Sequence, residues 1–283
     1  YIQKAINSIL TQKTSFEYDI LIADDYSTDG TREFITDHAK NCPKTDLILQ
    51  DKNVGPYRNF IDLISKPKTQ YIAYLEGDDY WLDCNKLQNQ VDILEKYPNS
   101  SFCFSDVAVN KNQSESHIHP NLGGKTRKFS AIDLADQTGS IAQTCTLLIR
   151  RKFLQDLPDW VLNSYTLDWC LQIFLANQGP AIYISQTTAV YRIHDQGIWS
   201  KLSPFEGWRK NLAFYKTALR QLPDQISQKR LQKRIQKTVI DALELANIQA
   251  NKTEIHKWLC QKLITCSIVS FKQTLHSLRL LLT

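Results

Sequence analysis

Along the first two hundred positions, short apolar runs alternate with stretches whose apolar residues recur every three to four places. The runs predict strands over Ile20–Ala23, Asp46–Leu49, Tyr71–Leu75, Ser101–Val109, Ile141–Ile149 and Ala181–Ile193. The three-to-four spacing predicts helices over Ile2–Leu10, Thr31–Ala39, Tyr57–Ile64, Lys86–Tyr97 and Leu167–Ala176. That order implies an α/β sandwich with a largely parallel sheet. Ligands of such sheets gather beyond the carboxyl ends of the strands. Tyr1 opens directly into a helical pattern, so the strand that ordinarily starts a nucleotide-binding half is expected to be missing from this sequence.

After Ser200 the strand-like alternation stops and long basic amphipathic helices follow, punctuated by Pro204 and Pro223. The expected organisation is therefore an α/β domain over 1–200 and a basic helical appendage over 201–283. The final stretch aligns Ile264, Ile268, Phe271, Leu275 and Leu278 on one helical stripe. Two readings of that stripe are open, packing against protein and peripheral contact with a membrane surface.

Charge sharpens the division. Residues 1–200 hold 19 basic and 24 acidic side chains, a net of −5, and the remainder holds 15 and 5, a net of +10. Such a segment faces an anionic neighbour or presents a solvated helical face. No recognisable RNA or DNA module accompanies it, and nucleic acid is not expected as a partner. No uncharged run is long enough to span a bilayer. The seven cysteines form no CxxC pair, as expected of reduced, mostly buried thiols in a cytoplasmic protein.

Two acidic clusters stand at predicted strand exits. "IADDYSTDGT" carries Asp24, Asp25 and Asp29; "YLEGDDYW" carries Glu76, Asp78 and Asp79. Crowded carboxylates repel one another and raise each other's pKa unless a cation intervenes, so a divalent metal accounts for the second cluster economically. Asp29, beside Gly30 and ahead of a helix, reads instead as a turn and cap residue. "DYSTDG" copies the first half of a calcium loop, but position twelve falls on Thr36 where the bidentate Glu belongs. Neither GxxxxGK[ST] nor GxGxxG occurs, which argues against a P-loop enzyme and a dinucleotide oxidoreductase.

"YIQKAINSILTQ", "YDILIADDYSTDGT", "NVGPYRNF", "YIAYLEGDDYW" and "YRIHDQGIWS", in that order over roughly residues 1 to 200, resemble the family 2 glycosyltransferases of bacterial surface-polysaccharide synthesis. The resemblance implies a GT-A fold, a nucleotide-diphosphate sugar donor, a Mg or Mn ion, and transfer with inversion to a hydroxyl of a glycan or lipid-linked acceptor. It implies work in the cytoplasm, at the inner face of the plasma membrane where the acceptor is membrane-borne. By the same likeness Asp24 and Asp25 hold the nucleotide base, and a carboxylate accepting an imide N–H suits a pyrimidine, a UDP- or dTDP-sugar. Asp78 and Asp79 match the metal- and ribose-binding signature, with Glu76 where many relatives carry a first Asp. Arg58 falls where relatives place a basic group near the donor, and its alternative is an exposed helical Arg. Asp168 is the candidate general base, its alternative a first-turn acid favoured by the helix dipole.

His194, opening "HDQGIWS", is the candidate metal or diphosphate ligand. His117 and His119 read as solvent-exposed, and Trp81, Trp169 and Trp199 offer sugar-stacking faces or core packing. Two other functional classes stay open, a metal-dependent nucleotidyltransferase-like enzyme and a catalytically silent glycan- or nucleotide-binding module.

Overall fold

A computed structural model describes residues 1–111, 115–137, 139–249 and 251–266. In chain order the elements of the first half are α1 (Ile2–Leu10), β1 (Ile20–Asp24), α2 (Thr31–Asn41), β2 (Thr45–Leu49), α3 (Pro56–Ser65), β3 (Tyr71–Ala73), β4 (Tyr80–Trp81), α4 (Lys86–Lys96), β5 (Phe102–Lys111), β6 (Glu115–His119) and β7 (Arg127–Phe129). They continue with α5 (Ala131–Ala135), β8 (Leu148–Arg150), α6 (Asp159–Leu162), α7 (Leu167–Gln178), β9 (Ala181–Ile193), α8 (Pro204–Gln221), α9 (Gln225–Ile248) and α10 (Lys252–Cys266). Two compact units result. The first comprises Tyr1–Ala131 and Ser140–Ile193, the second Ile132–Gly139 and His194–Thr283.

In the first unit β1 and β2 pair in parallel, Ile20 opposite Thr45 through Asp24 opposite Leu49. A larger sheet has the order β3-β8-β5-β9-β4, with β6 added to β5 and β7 to β9. The expectation of a largely parallel sheet is corrected here. β5 and β9 run parallel, whereas β3–β8, β5–β8, β4–β9, β5–β6 and β7–β9 are antiparallel. The predicted strand Ile141–Ile149 accounts for two of these five pairs. Its buried first part enters a 3₁₀ turn over Thr144–Thr146, and only Leu148–Arg150 pairs, reversing direction between β3 and β5. An apolar run reports burial, and burial alone does not distinguish strand from turn. β6 was hidden for the opposite reason, since its polar residues sit on an edge where the backbone ladder supplies the pairing.

The helices follow their spacing. α1 buries Ala5 and Ile6 on one face. α7 is apolar almost all round and buries Leu167, Cys170, Leu171, Ile173, Leu175 and Ala176. β5 reads as an unbroken run because it is central, and Phe102, Cys103, Phe104 and Val107 are wholly buried. The five cysteines from Cys42 to Cys170 are free.

One core residue breaks the pattern. Lys86 is fully buried, its Nζ 2.6 Å from Gln90 Oε1 and 4.3 Å from the centre of the Trp81 ring. Burial pushes its pKa down from 10.5 to about 8. Between pH 8 and 10.5 the unfolded chain therefore holds a proton that the folded protein has released, so stability rises with pH across that window. The shift corresponds to about 3 kcal/mol as an upper figure. Denaturant unfolding at pH 8 and pH 10 should show this gain in the wild type and its loss in Lys86→Met; equal slopes in the two proteins would refute it.

In the second unit α8 opens on Pro204 behind a capping box, in which Ser203 accepts from the Glu206 backbone and the Glu206 carboxylate accepts from the Ser203 N–H. Pro223 falls in the break before α9, which Asp224 caps through Ser227 N. The side chains of the expected stripe Ile264, Ile268, Phe271, Leu275 and Leu278 lie outside the described residues. Among the described residues no helix is long and apolar enough to cross a membrane.

Candidate active site

β1 ends at the first acidic pair, and its two members do different work. Asp24 is buried; Arg32 Nε donates to its Oδ2 at 2.7 Å and Ser27 N approaches at 3.2 Å. Burial acts to raise its pKa, but the hydrogen bonds from Ser27 and Arg32 prevail and hold it below the ordinary carboxylate value. Asp24 is thus occupied in fixing the turn to α2, and Arg32 carries the tie onward to the Gln50 carbonyl at 2.6 Å. Asp25 reaches the other way. Its Oδ1 accepts from Val54 N at 2.6 Å, fastening the strand exit to the loop before α3.

Gly55, at φ 84°, turns that loop into the helix, and Pro56 supplies a first residue that needs no N–H partner. Asn59 then donates to the Ala23 carbonyl at 3.2 Å, so α3 is seated directly on the end of β1. Arg58 is exposed and pairs with Asp62 one turn along its own helix at 2.9 Å. That geometry matches the exposed-Arg alternative, an ion pair worth a few tenths of a kcal/mol.

The second cluster is built by a tight turn. Asp79 N donates to the Glu76 carbonyl at 3.1 Å, bringing residues three apart to the same side. Asp79 is 1% exposed; its Oδ1 accepts from Arg192 N of β9 at 2.8 Å. Asp79 Oδ2 and Glu76 Oε2 are both buried without a hydrogen-bond partner. Among the described residues Glu76, Asp79 and Cys145 form one potential metal-holding group, each presenting a ligand atom within 4.8 Å of the others. Asp78 stands beside this group, its charge raising the pKa of both carboxylates. Glu76 is therefore the residue that the turn places with Asp79.

Burial and mutual repulsion push Glu76 well above its ordinary value and Asp79 to about 7. Unpaired buried charge is the most expensive arrangement a protein can hold, and a divalent cation removes the expense. Two hard carboxylate oxygens suit Mg or Mn. Cys145 offers sulfur, a soft ligand, and not a third hard oxygen, and burial and the neighbouring acids push its thiol pKa well up. Cys145 carries no signal in the sequence, lying in an apolar run. Its turn is pinned by Trp81 Nε1, which donates to the Cys145 carbonyl at 2.9 Å, and by Gln90 Nε2, which donates to Thr146 O at 2.7 Å. Trp81 is accordingly core, and its sugar-stacking alternative is set aside.

Asp168 lies in the first turn of α7. Thr166 occupies the N-cap position without a side-chain cap bond, so Asp168 is the acidic group at that helix start. Burial raises its pKa to about 6, opposed by the backbone N–H groups of Trp169 and of Asp168 itself. Tyr74 directly follows β3. Its buried hydroxyl is pushed far up by burial and then by the charges of Glu76, Asp78, Asp168 and Asp79 together. Phe60 of α3 packs edge-on against the Tyr74 ring at 4.8 Å. Tyr57, also on α3, donates to the Tyr165 carbonyl at 2.5 Å, and its own pKa is raised by burial and by Asp168. Tyr74 thus brings Asp168 and the "EGDD" carboxylates into one electrostatic neighbourhood, and α3 ties that neighbourhood to the exit of β1.

His194 follows β9 and opens the second unit. His119 Nε2 lies 3.0 Å from Ser140 O, and His117 is exposed. Trp169 is half-buried, and Trp199 is exposed with Lys210 Nζ 5.3 Å from its ring centre.

The fold is that of GT-A nucleotide-sugar transferases. Staphylococcus aureus TarS, solved with UDP-GlcNAc, superposes with a TM-score of 0.65 over 92% of this chain and 75% of its own, at 13% identity. The family model of glycosyl transferase family 2 matches residues 1–157, and the chain belongs to that family. An uncharacterized protein of Mycobacterium tuberculosis is 33% identical over 201 residues, 70% of this chain and 57% of its own length. The Escherichia coli UDP-Glc:alpha-D-GlcNAc-diphosphoundecaprenol beta-1,3-glucosyltransferase is 29% identical over 113 residues, 40% of this chain and 43% of its own. The chain thus spans little more than half the length of the relatives it matches over most of its α/β part.

Proposed function

We propose that the protein is an inverting glycosyltransferase that moves a sugar from a UDP- or dTDP-sugar to a hydroxyl of a glycan or lipid-linked acceptor in cell-surface polysaccharide synthesis. One observation carries the reading. Two buried, unpartnered carboxylate oxygens, on Glu76 and Asp79, share the neighbourhood of Tyr74 with a third acid, Asp168, whose pKa suits a base at neutral pH. The E. coli relative, named for a UDP-glucose donor and a diphosphoundecaprenol acceptor, supports the donor and acceptor classes.

In this reading the first set receives the donor and Asp168 the acceptor. Asp25, at the exit of β1 and next to the turn that Asp24 fixes, takes the base of the nucleotide. Asp79 and Glu76, with Asp78 alongside for the ribose, would hold a Mg or Mn ion, which when bound would supply positive charge for a departing diphosphate. Asp168 accepts the proton of the acceptor hydroxyl as that oxygen bonds to the anomeric carbon. The bond from that carbon to the phosphate oxygen breaks, and one displacement inverts the centre. Asp168 is ionised in most molecules at pH 7, so transfer should lose its base as pH falls through about 6. His194 is retained as a candidate ligand of the ion or diphosphate, and Arg58 as a candidate donor contact if its pair with Asp62 opens. A lipid-linked acceptor places the work at the inner face of the plasma membrane.

The test is a panel of nucleotide sugars with and without Mn, read as released nucleoside diphosphate. Release from a UDP- or dTDP-sugar that requires the metal supports the proposal. Pyrophosphate as the product, or donor binding with no release under any condition, contradicts it.

A further inference from the structure

The helix α9 in the second unit presents two faces of different chemistry. Its inner face buries Leu231, Ile235, Val239, Ala242, Leu243 and Ala246. Arg230 and Arg234 on the flank are engaged within the same unit by Asp133 and Asp136, at 3.0 to 3.3 Å. The outer face carries Ile226, Lys229, Lys233, Lys237, Ile240 and Ile248, at spacings that keep them on one side of the helix.

All six are exposed, and the isoleucines conspicuously so, at 70%, 41% and 81% for Ile226, Ile240 and Ile248. One acid, Glu244, lies among them, and Lys237 also pairs with Asp241 at 3.0 Å. A face meant only for water is ordinarily filled by strong helix formers such as Glu, Lys, Gln and Ala, and β-branched Ile has no advantage there. Single exposed apolar residues need no explanation, but these three share a basic stripe about 33 Å long. A nucleic acid would use the lysines and leave the isoleucines idle. The geometry points to an anionic lipid surface as the occupant of this face, with lysine ammonium groups among phosphate-bearing headgroups and isoleucine side chains at the headgroup–acyl boundary. This inference deepens the reading of a membrane-borne acceptor, on which it rests, yet vesicle binding needs no turnover, so the two fail separately.

The probe is co-sedimentation of the protein with phosphatidylcholine vesicles with and without phosphatidylglycerol. Binding is expected only with phosphatidylglycerol, weakening as salt shortens the screening length. The triple change Lys229→Glu, Lys233→Glu and Lys237→Glu should lower affinity on the order of 100-fold. The triple change Ile226→Ser, Ile240→Ser and Ile248→Ser, which leaves charge untouched, should lower it by about tenfold. The control triple Lys40→Glu, Lys66→Glu and Lys68→Glu alters net charge equally on exposed positions of the first unit and should lower it by about twofold or less. Circular dichroism melts establish that each variant is folded. Absence of binding to phosphatidylglycerol vesicles overturns the proposal, as does a control triple that weakens binding as much as the α9 lysine triple.

Discussion

Replacing Asp168 by Asn should lower kcat for sugar transfer by about 10²- to 10⁴-fold while leaving donor affinity close to that of the wild type. The change keeps the shape of the side chain and its place in the first turn of α7, and it removes the capacity to take a proton. A structural acid there, favoured only by the helix dipole, would show a modest loss of stability of about 1 kcal/mol or less and unimpaired transfer. The distinguishing readout is the pH profile. The acid limb near pH 6, set by the burial of Asp168, should be present in the wild type and absent from the residual activity of the variant. A variant that retains both kcat and the acid limb removes Asp168 from the chemistry.

The second large effect concerns stability and the cation. In metal-free protein Glu76 and Asp79 have pKa values above those of the unfolded chain, the latter rising from 3.8 to about 7. Between those values the folded state binds more protons than the unfolded state, so stability is greatest in acid and falls as pH rises toward 7. Asp79 alone accounts for about 4 kcal/mol as an upper figure. A cation reverses the sign of that local term, so Mn should raise Tm strongly at pH 8 and little at pH 5. Asp79→Asn should flatten the pH dependence of the metal-free protein and abolish the Mn-induced rise. Equal Mn effects at both pH values, or an undiminished rise in the variant, would show that the ion sits elsewhere.

Much of the architecture is legible in the hydrophobic pattern because α1 and α4 carry a clear helical period, α7 is apolar almost all round and β5 is a nearly unbroken buried run. The sheet direction was not legible, since the segment before β8 is buried as a 3₁₀ turn and reads like strand. The acids illustrate the same limit at the site. Sequence places Glu76, Asp78 and Asp79 together but does not say which side chains turn inward; the hydrogen bond from Asp79 N to Glu76 O decides it, pairing residues three apart. Asp24 looks equivalent to Asp25 until Arg32, eight residues on, is seen to engage it. Tyr74 and Cys145 acquire meaning only from neighbours distant in sequence, and no local pattern marks them.

A calorimetric titration of Mn into the protein at pH 7.5 with UDP present goes to the centre of the account. It predicts one ion per chain, with affinity at least tenfold weaker in Asp79→Asn and unchanged in Asp92→Asn, an exposed acid of α4. No bound ion, or equal binding by the wild type and Asp79→Asn, would contradict the claim that these buried carboxylates are a cation site.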